Sequence, residues 1–136
     1  MKHTGIVAEI KFVAKALQYS YNVSLPIGDN APYDCILENQ GKTIKVQIKS
    51  TNSRHLSGRN DCYKVNFAKG SNSKVKYKAQ NVDYLAAYIH SLDCWYIIPY
   101  SAIEAVSVRL YPHRTDYEGK YERYKERWEI LSQDNA

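Results

Sequence analysis

The most constraining feature of this sequence is a stretch of strict alternation from Thr43 to Ser50. Ile44, Val46 and Ile48 point to one side of an extended chain, and the polar residues between them point to the other. The Asn39-Gln40-Gly41-Lys42 segment just before it is typical of a hairpin turn. The pattern therefore predicts a strand with one buried face, which pairs with the segment that precedes the turn.

Periodicity along the rest of the chain predicts one domain, residues 1–136, of mixed α and β structure. A first helix is expected to run to about Ser20 and a last helix to span about 118–131. The fold class is therefore α/β or α+β with a mixed sheet. The first helix is expected to bury the stripe formed by Ile6, Ile10, Val13 and Leu17. Strands are expected at about 21–25, 33–38, 43–50, 63–67, 82–89, 94–98 and 106–110.

Positive charge is concentrated in the middle of the chain, although the net charge of the whole is only +5. Between Lys42 and Lys78, Asp61 is the single acidic residue among ten lysines and arginines. Such a block indicates a polyanionic partner, because basic side chains release counterions when they neutralise phosphates. A solvated face is the alternative. The candidate DNA contacts, in basic loops expected at about 51–80, are Arg54, His55, Arg59, Lys74, Lys76 and Lys78.

Other classes of protein fit this sequence poorly. No apolar run approaches the roughly 18 residues of a membrane helix, and the first residues lack the plan of a signal peptide. The three cysteines have no C-x-x-C spacing, which indicates free thiols and neither a disulfide framework nor a zinc ribbon. We therefore expect a cytoplasmic, intracellular protein with no membrane contact.

Four side chains and one backbone carbonyl form a candidate catalytic site. Gln47 and Lys49 lie on one face of the alternating strand, about 6.6 Å apart along the chain. Asp34 opens the strand expected to pair with it, and Glu9 lies at the rim of the first helix's apolar stripe. Asp34, the Gln47 amide and the Ile48 carbonyl supply oxygens of the kind that Mg²⁺ prefers, and Mn²⁺ is also possible.

The remaining groups suit phosphodiester hydrolysis. Glu9 can bind a second ion or hold a water beside the first. The ammonium of Lys49 can touch the scissile phosphate or orient the attacking water. A polar strand face without a catalytic role is the alternative at this point of the argument.

The order and spacing of several short motifs resemble the PD-(D/E)XK nuclease superfamily over about residues 4–100. The chain is most similar to the small group I intron-encoded homing endonucleases of that superfamily, in which glutamine replaces the usual acid before x-Lys. The motifs are Gly5-x-Val7-Ala8-Glu9, Pro26-x-Gly28-Asp29, Pro32-Tyr33-Asp34-Cys35-Ile36, Gly41-Lys42, Val46-Gln47-Ile48-Lys49-Ser50, Val82-Asp83-Tyr84-Leu85 and Trp95-Tyr96-Ile97-Ile98-Pro99.

The resemblance implies a restriction-endonuclease-like αβββαβ core, with a central mixed sheet flanked by helices, and Mg²⁺-dependent hydrolysis of DNA. It assigns metal binding to Asp34 and Gln47, a catalytic role to Lys49 and a supporting acidic role to Glu9. The neutral Gln47 departs from the general pattern and predicts weaker metal affinity than a glutamate. No helix is evident between the third strand and Val82, where the superfamily often has one.

These observations predict a Mg²⁺-dependent endonuclease of the homing type that cuts double-stranded DNA. We expect a homodimer or homotetramer, because a double-strand break requires two active sites. A structure-selective nuclease such as a Holliday junction resolvase is the second hypothesis. The third is a DNA-binding module whose site has lost its chemistry, with Gln47 as the sign of that loss.

Overall fold

The computed structural model describes residues 3–28, 30–52, 54–55, 61–67, 81–115 and 119–132, which form a mixed α+β fold. Within these ranges no helix is long and apolar enough to cross a membrane. Short 3₁₀ turns follow the main elements at His90–Leu92, Tyr100–Ala102, Glu122–Tyr124 and Trp128–Ser132. The main elements are α1 (His3–Gln18), β1 (Asn22–Ser24), β2 (Cys35–Asn39), β3 (Lys42–Thr51), β4 (Arg54–His55), β5 (Cys62–Asn66), β6 (Tyr84–Ile89), β7 (Cys94–Pro99) and β8 (Ser107–Leu110).

The central sheet has five strands in the order β1-β2-β3-β6-β7. The pairing of β3 with β6 is parallel and the other three pairings are antiparallel, so the sheet is mixed, as predicted. The predicted alternating strand is β3, which lies in the middle and buries Ile44, Val46 and Ile48. Its central position fixes the polar residues between them.

The turn between β2 and β3 sets which residues of the two strands meet. Gln40 and Gly41 both have positive φ angles, of 53° and 79°. Two such residues form a tight turn whose twist matches that of the flanking strands. The register then runs from Asn39 opposite Lys42 to Cys35 opposite Val46. Asp34 is therefore delivered to the edge of β3.

Helix α1 packs on one face of the central sheet through Ala8, Phe12 and Ala16, each at most 1% exposed. The small alanines let the helix approach the sheet closely. The ring centroid of Phe12 lies 5.5 Å from those of Trp95 and Trp128. Burial of a large aromatic ring among others decides which face of the helix turns inward.

The predicted buried stripe of α1 is wrong. Ile6, Ile10 and Leu17 are 52%, 64% and 55% exposed, and Val13 is only half-buried. This stripe lies opposite Phe12 on the helix, since residues advance by about 100°. The aliphatic residues of α1 thus face outward.

The other face of the central sheet is covered by a second sheet in the order β4-β5-β8. Val65 and Val108 pack against Leu85 and Ile98 of the central sheet in a second buried cluster. The αβββαβ pattern places a helix before Val82. The described residues between β3 and Val82, which are 52, 54–55, 61–67 and 81, contain no such helix.

The predicted helix at 118–131 is also wrong, because this segment follows the edge of β7. The N–H of Glu126 donates to the carbonyl of Trp95 at 2.7 Å, and its carboxylate accepts the Trp95 N–H at 2.7 Å. Lys125 forms a β-bridge with Tyr96. Glu126 has a φ of 53°, which a continuous α-helix does not allow. Bonds to the sheet edge thus replace helical bonds.

Candidate active site

Two adjoining cavities meet where α1, β2 and β3 come together. Their volumes are about 540 and 450 Å³, and Glu9, Asp34 and Ile48 line both. Lys49 lines the smaller one. Gln47 lines neither, because it is buried within the sheet and is 4% exposed. The structure therefore brings four of the five predicted groups to one groove and sets Gln47 in the adjacent core.

Asp34 is fixed to β3 just beyond the end of β2. Its N–H donates to the carbonyl of Val46 at 2.8 Å. Its Oδ2 accepts the N–H of Ile48 at 2.6 Å. These bonds hold the Asp34 carboxylate in place beside β3.

Glu9 and Asp34 are close enough to influence each other's charge. Burial raises the pKa of Glu9, and the neighbouring charge of Asp34 and a hydrogen bond with it raise the pKa further. Lys49 acts in the opposite direction on the pKa of Glu9. Two carboxylates facing one groove create a local demand for positive charge that one lysine meets only in part.

Gln47 carries the clearest mark of a missing partner. Its Oε1 is buried and accepts no hydrogen bond from the described residues. A buried carbonyl without a donor costs about 1–3 kcal/mol of stability, so native proteins rarely keep one without a reason. A bound cation that this oxygen helps to hold would be such a reason.

The donor set suits a hard divalent cation. In the part of the chain that is described, no three His, Cys, Asp or Glu side chains come together as a metal site. Glu9 and Asp34 supply only two carboxylates, so an oxygen set would need further donors such as the Gln47 amide and the Ile48 carbonyl. Oxygen ligands of mixed charge fit Mg²⁺ or Mn²⁺ and do not fit zinc.

The cysteines do not supply a nucleophile. Cys35, Cys62 and Cys94 are free and buried, as predicted. Burial, with the charges of Asp34 and Glu9, raises the pKa of Cys35 to about 12. A thiol that stays protonated at neutral pH is a poor nucleophile.

The comparisons with known proteins agree with this geometry. A family model described as PD-(D/E)XK endonuclease matches residues 1–131. The chain belongs to the PD-(D/E)XK endonuclease family. Nucleases of this family generally use divalent metal ions. Family membership thus makes the chain a nuclease, and the resemblance seen in the sequence is confirmed.

A solved structure has the same fold. The bacterial homing endonuclease I-Ssp6803I matches with a TM-score of 0.74 and 21% identity, over 96% of this chain and 90% of that one. No curated protein matches the chain. The restriction-endonuclease-like fold predicted from the sequence is confirmed.

The predicted DNA contacts of this PD-(D/E)XK chain divide into three groups. Arg54 is on β4, where its Nε donates to Asp61 Oδ1 at 2.7 Å and its Nη2 bonds the second oxygen. The bond from Arg54 lowers the pKa of Asp61. His55 follows on β4, paired with Cys62. Arg59, Lys74, Lys76 and Lys78 lie outside the described residues.

Tyr63, which lies on β5 opposite Arg54, is not available to stack on a base. It is 6% exposed and its ring packs edge-on against His113 with centroids 5.7 Å apart. A ring in this setting has no free face for a base. Its role is to pack the second sheet against the central one.

Sequence reasoning missed one basic pair. Lys64 on β5 lies directly opposite Arg109 on β8, and both side chains are exposed. The next pair on the same face is Asn66 with Ser107. Like charges directly opposite each other destabilise a sheet, so the pair favours contact with an anion. Alternation along β5 reveals the exposure of Lys64, but only the fold reveals its partner 45 residues later.

Proposed function

We propose that this protein is a divalent-metal-dependent endonuclease that hydrolyses phosphodiester bonds of double-stranded DNA, of the site-specific homing type. The supporting observation is the convergence of Glu9, Asp34, Ile48 and Lys49 on one groove. The buried Gln47 oxygen, which accepts no hydrogen bond from the described residues, adds to it. We further propose that it acts inside the cell, where its substrate lies, as a homodimer or homotetramer.

The ion-binding groups have distinct roles. Asp34 Oδ1, Gln47 Oε1 and the Ile48 carbonyl would hold Mg²⁺, with Mn²⁺ as a substitute. The hydrogen bond from Ile48 N–H to Oδ2 fixes the Asp34 carboxylate, so its other oxygen is pre-oriented. A bound divalent ion supplies Lewis-acid activation of the phosphoryl group and a lower pKa for water.

Glu9 and Lys49 complete the reaction groove. Glu9 lines the groove on the α1 side, where its carboxylate can hold a water or a second ion. Lys49 lines the same cavity, where its ammonium can contact the scissile phosphate or orient the attacking water. Ile48 between them is buried, which keeps the base of the groove dry.

Cleavage of a duplex pool with randomised inserts, in Mg²⁺ or Mn²⁺, tests the proposal. We expect wild type to cut a defined subset of sequences, and Asp34→Ala and Lys49→Ala to lose this cutting. Lys120→Ala is the matched control, because Lys120 is an exposed lysine paired with Glu104 at 3.1 Å. The nuclease assignment fails if wild type cuts no faster than Asp34→Ala.

The same assay separates the alternatives. Preferred cutting of four-way junctions over linear duplex would instead indicate a junction resolvase. Binding of DNA with a steep salt dependence, but no cleavage with any divalent ion, would indicate a binding module that has lost its chemistry.

A further inference from the structure

Arg54 and Asp61 form an ion pair on the strands that follow the candidate catalytic groove. Arg54 lies on β4, three residues after the end of β3, and Asp61 immediately precedes β5, which pairs with β4. The Nε of Arg54 donates to Asp61 Oδ1 at 2.7 Å, and its Nη2 donates to Oδ2. Two parallel hydrogen bonds fix the plane of the guanidinium as well as its position.

This contact occupies the side of the guanidinium and not its end. The group has five N–H donors in one plane, and Asp61 accepts the one on Nε and one of the two on Nη2. The other hydrogens, on Nη1 and Nη2, form a fork directed away from Asp61. The Arg54 side chain is 43% exposed, so a ligand can reach this fork.

The charge of the pair disfavours a phosphate as that ligand. Asp61 is the single acidic residue in the basic middle of the chain, residues 42–78, and it lies directly beside Arg54. The pair therefore carries no net charge. A phosphate gains little from such a pair, because the carboxylate repels it and few counterions are released. A neutral group with two acceptors matches the fork better.

The edge of guanine has this arrangement of acceptors. In the major groove guanine presents O6 and N7 side by side, and an arginine can bind both with two N–H groups. Adenine presents one acceptor and one donor there, and the donor would oppose an N–H of the fork. We propose that Arg54 reads a guanine in the target DNA, and that Asp61 is the positioning residue that holds its guanidinium in the reading plane.

Asp61 is in turn restrained by the second sheet. His113 Nε2 lies 3.5 Å from Asp61 Oδ2. The His113 ring packs against Tyr63 and Tyr111, with centroids 5.7 and 6.4 Å apart. A packed neighbour of this kind keeps an orienting side chain in place. The guanidinium is thus ordered before DNA binds, which lowers the entropic cost of binding.

This reading role rests on the proposed function and adds a residue that determines which sequence is cut. Five residues separate Arg54 from Lys49, which lines the groove, so their Cα atoms are at most about 18 Å apart. With the lengths of both side chains added, the guanine lies within about one helical turn, or about 10 base pairs, of the cleaved bond. β4 is the outer strand of its sheet, and a β-ribbon fits the major groove.

The test is the selection of bound duplexes from a pool with randomised inserts, without metal ion, followed by sequencing. We expect wild type to select sites with a strongly preferred guanine. Arg54→Lys should reduce the preference at that position by about 5- to 150-fold, since a lysine ammonium cannot bind both acceptors in one plane. The preferences at other positions should stay.

Asp61→Asn tests the positioning role. It keeps the shape of the side chain and removes the charge that holds Arg54, so the guanine preference should fall at the same position. Affinity for DNA of any sequence should rise at the same time, because a negative charge is lost. A merely structural role would not give these opposite changes. The double variant should lose no more preference than Arg54→Lys alone, because both changes remove one interaction.

Arg127→Lys and Glu129→Gln are the matched controls, because these residues form an exposed pair at 3.5 Å outside the second sheet. Both should keep the wild-type base preferences, and circular dichroism checks that every variant is folded. The proposal is overturned if folded Arg54→Lys or Asp61→Asn keeps the guanine preference. It is also overturned if Arg54→Lys weakens binding to all sequences equally, which is the behaviour of a phosphate contact.

Cleavage with Mg²⁺ or Mn²⁺ is measured separately, so this inference and the proposed function can fail independently. A protein that selects guanine through Arg54 but cuts no DNA keeps the inference and rejects the nuclease assignment. A protein that cuts DNA without any guanine preference does the reverse. Wild type that binds no duplex overturns the inference as well.

Discussion

Two pairs of carboxylates lie against the central sheet, and their surroundings are opposite. Glu126 accepts hydrogen bonds from the Trp95 N–H at 2.7 Å and from Trp128 Nε1 at 2.8 Å. Glu122 accepts them from the Tyr96 hydroxyl at 2.6 Å and the Tyr111 N–H at 3.0 Å. Both carboxylates along β7 therefore have two donors each and serve the fold.

The other pair is under-satisfied. Glu9 and Asp34 lie close enough for their negative charges to interact, since the charge of Asp34 contributes to the raised pKa of Glu9. A cation would stabilise both charges. The Gln47 oxygen, buried in the sheet, also has no donor among the described residues. Groups of this kind lower the stability of the fold and persist where function requires them. The contrast separates carboxylates that stabilise from carboxylates that are available for chemistry.

The largest expected difference between the pairs is in cleavage rate. Asp34→Asn keeps the shape of the side chain but removes a charged ligand, and we expect a loss on the order of 10³-fold. Glu122→Gln makes the same chemical change beside β7 and should leave the rate near that of wild type. Both are measured on a DNA substrate that wild type cuts. An equal loss in Glu122→Gln would remove the distinction.

Stability should respond in the opposite way. Glu126→Ala removes two charge-assisted hydrogen bonds and leaves the Trp95 N–H without its partner, so we expect a loss of about 1–3 kcal/mol in the free energy of unfolding. Glu129→Ala is the control, because Glu129 forms only an exposed pair with Arg127 at 3.5 Å. Urea unfolding measures both. Equal stability of the two variants would show that the β7 contacts contribute little.

The same two regions show how far local sequence patterns reach. The strands were predictable because alternation and the Asn39–Lys42 turn are local signals that the fold obeys. The conformation of the C-terminal segment was not predictable, because hydrogen bonds between Glu126 and Trp95, 31 residues apart, determine it. Long-range bonds of this kind override helical periodicity and cannot be read from neighbouring residues.

The site was predicted by residues that one hairpin brings together. The turn and the alternation of β3 place Asp34 and Lys49 at the groove, whereas Gln47 is buried in the sheet. Glu9 is half-buried, between core and solvent, as predicted. The aliphatic stripe from which this position was predicted faces outward. Glu9 is half-buried because it lies about 60° from the buried Phe12 on the helix. The Lys64–Arg109 pair was missed because it depends on pairing between β5 and β8.

A smaller change tests whether Gln47 is kept for a cation. Gln47→Met preserves length and removes the unpaired carbonyl, so we expect the metal-free protein to become more stable by about 1 kcal/mol. Ca²⁺ at 100 times its Kd should stabilise wild type by about 2.7 kcal/mol, and Gln47→Met should lose most of this gain. Urea unfolding with and without Ca²⁺ measures both effects. A less stable metal-free variant would indicate that Gln47 serves packing.

The smallest expected effects concern basic side chains on the second sheet. Arg54 is paired with Asp61, whereas Lys64 and Arg109 are exposed and lie opposite each other. If that pair contacts phosphates, Lys64→Ala and Arg109→Ala should each reduce the slope of log affinity against log salt by about 1. Each should also stabilise the sheet by a few tenths of a kcal/mol, since like charges are no longer opposed. Lys120→Ala should keep the wild-type slope in the same binding titrations. A slope unchanged by either variant would mean that DNA does not touch this face, and that the β5–β8 repulsion has another cause.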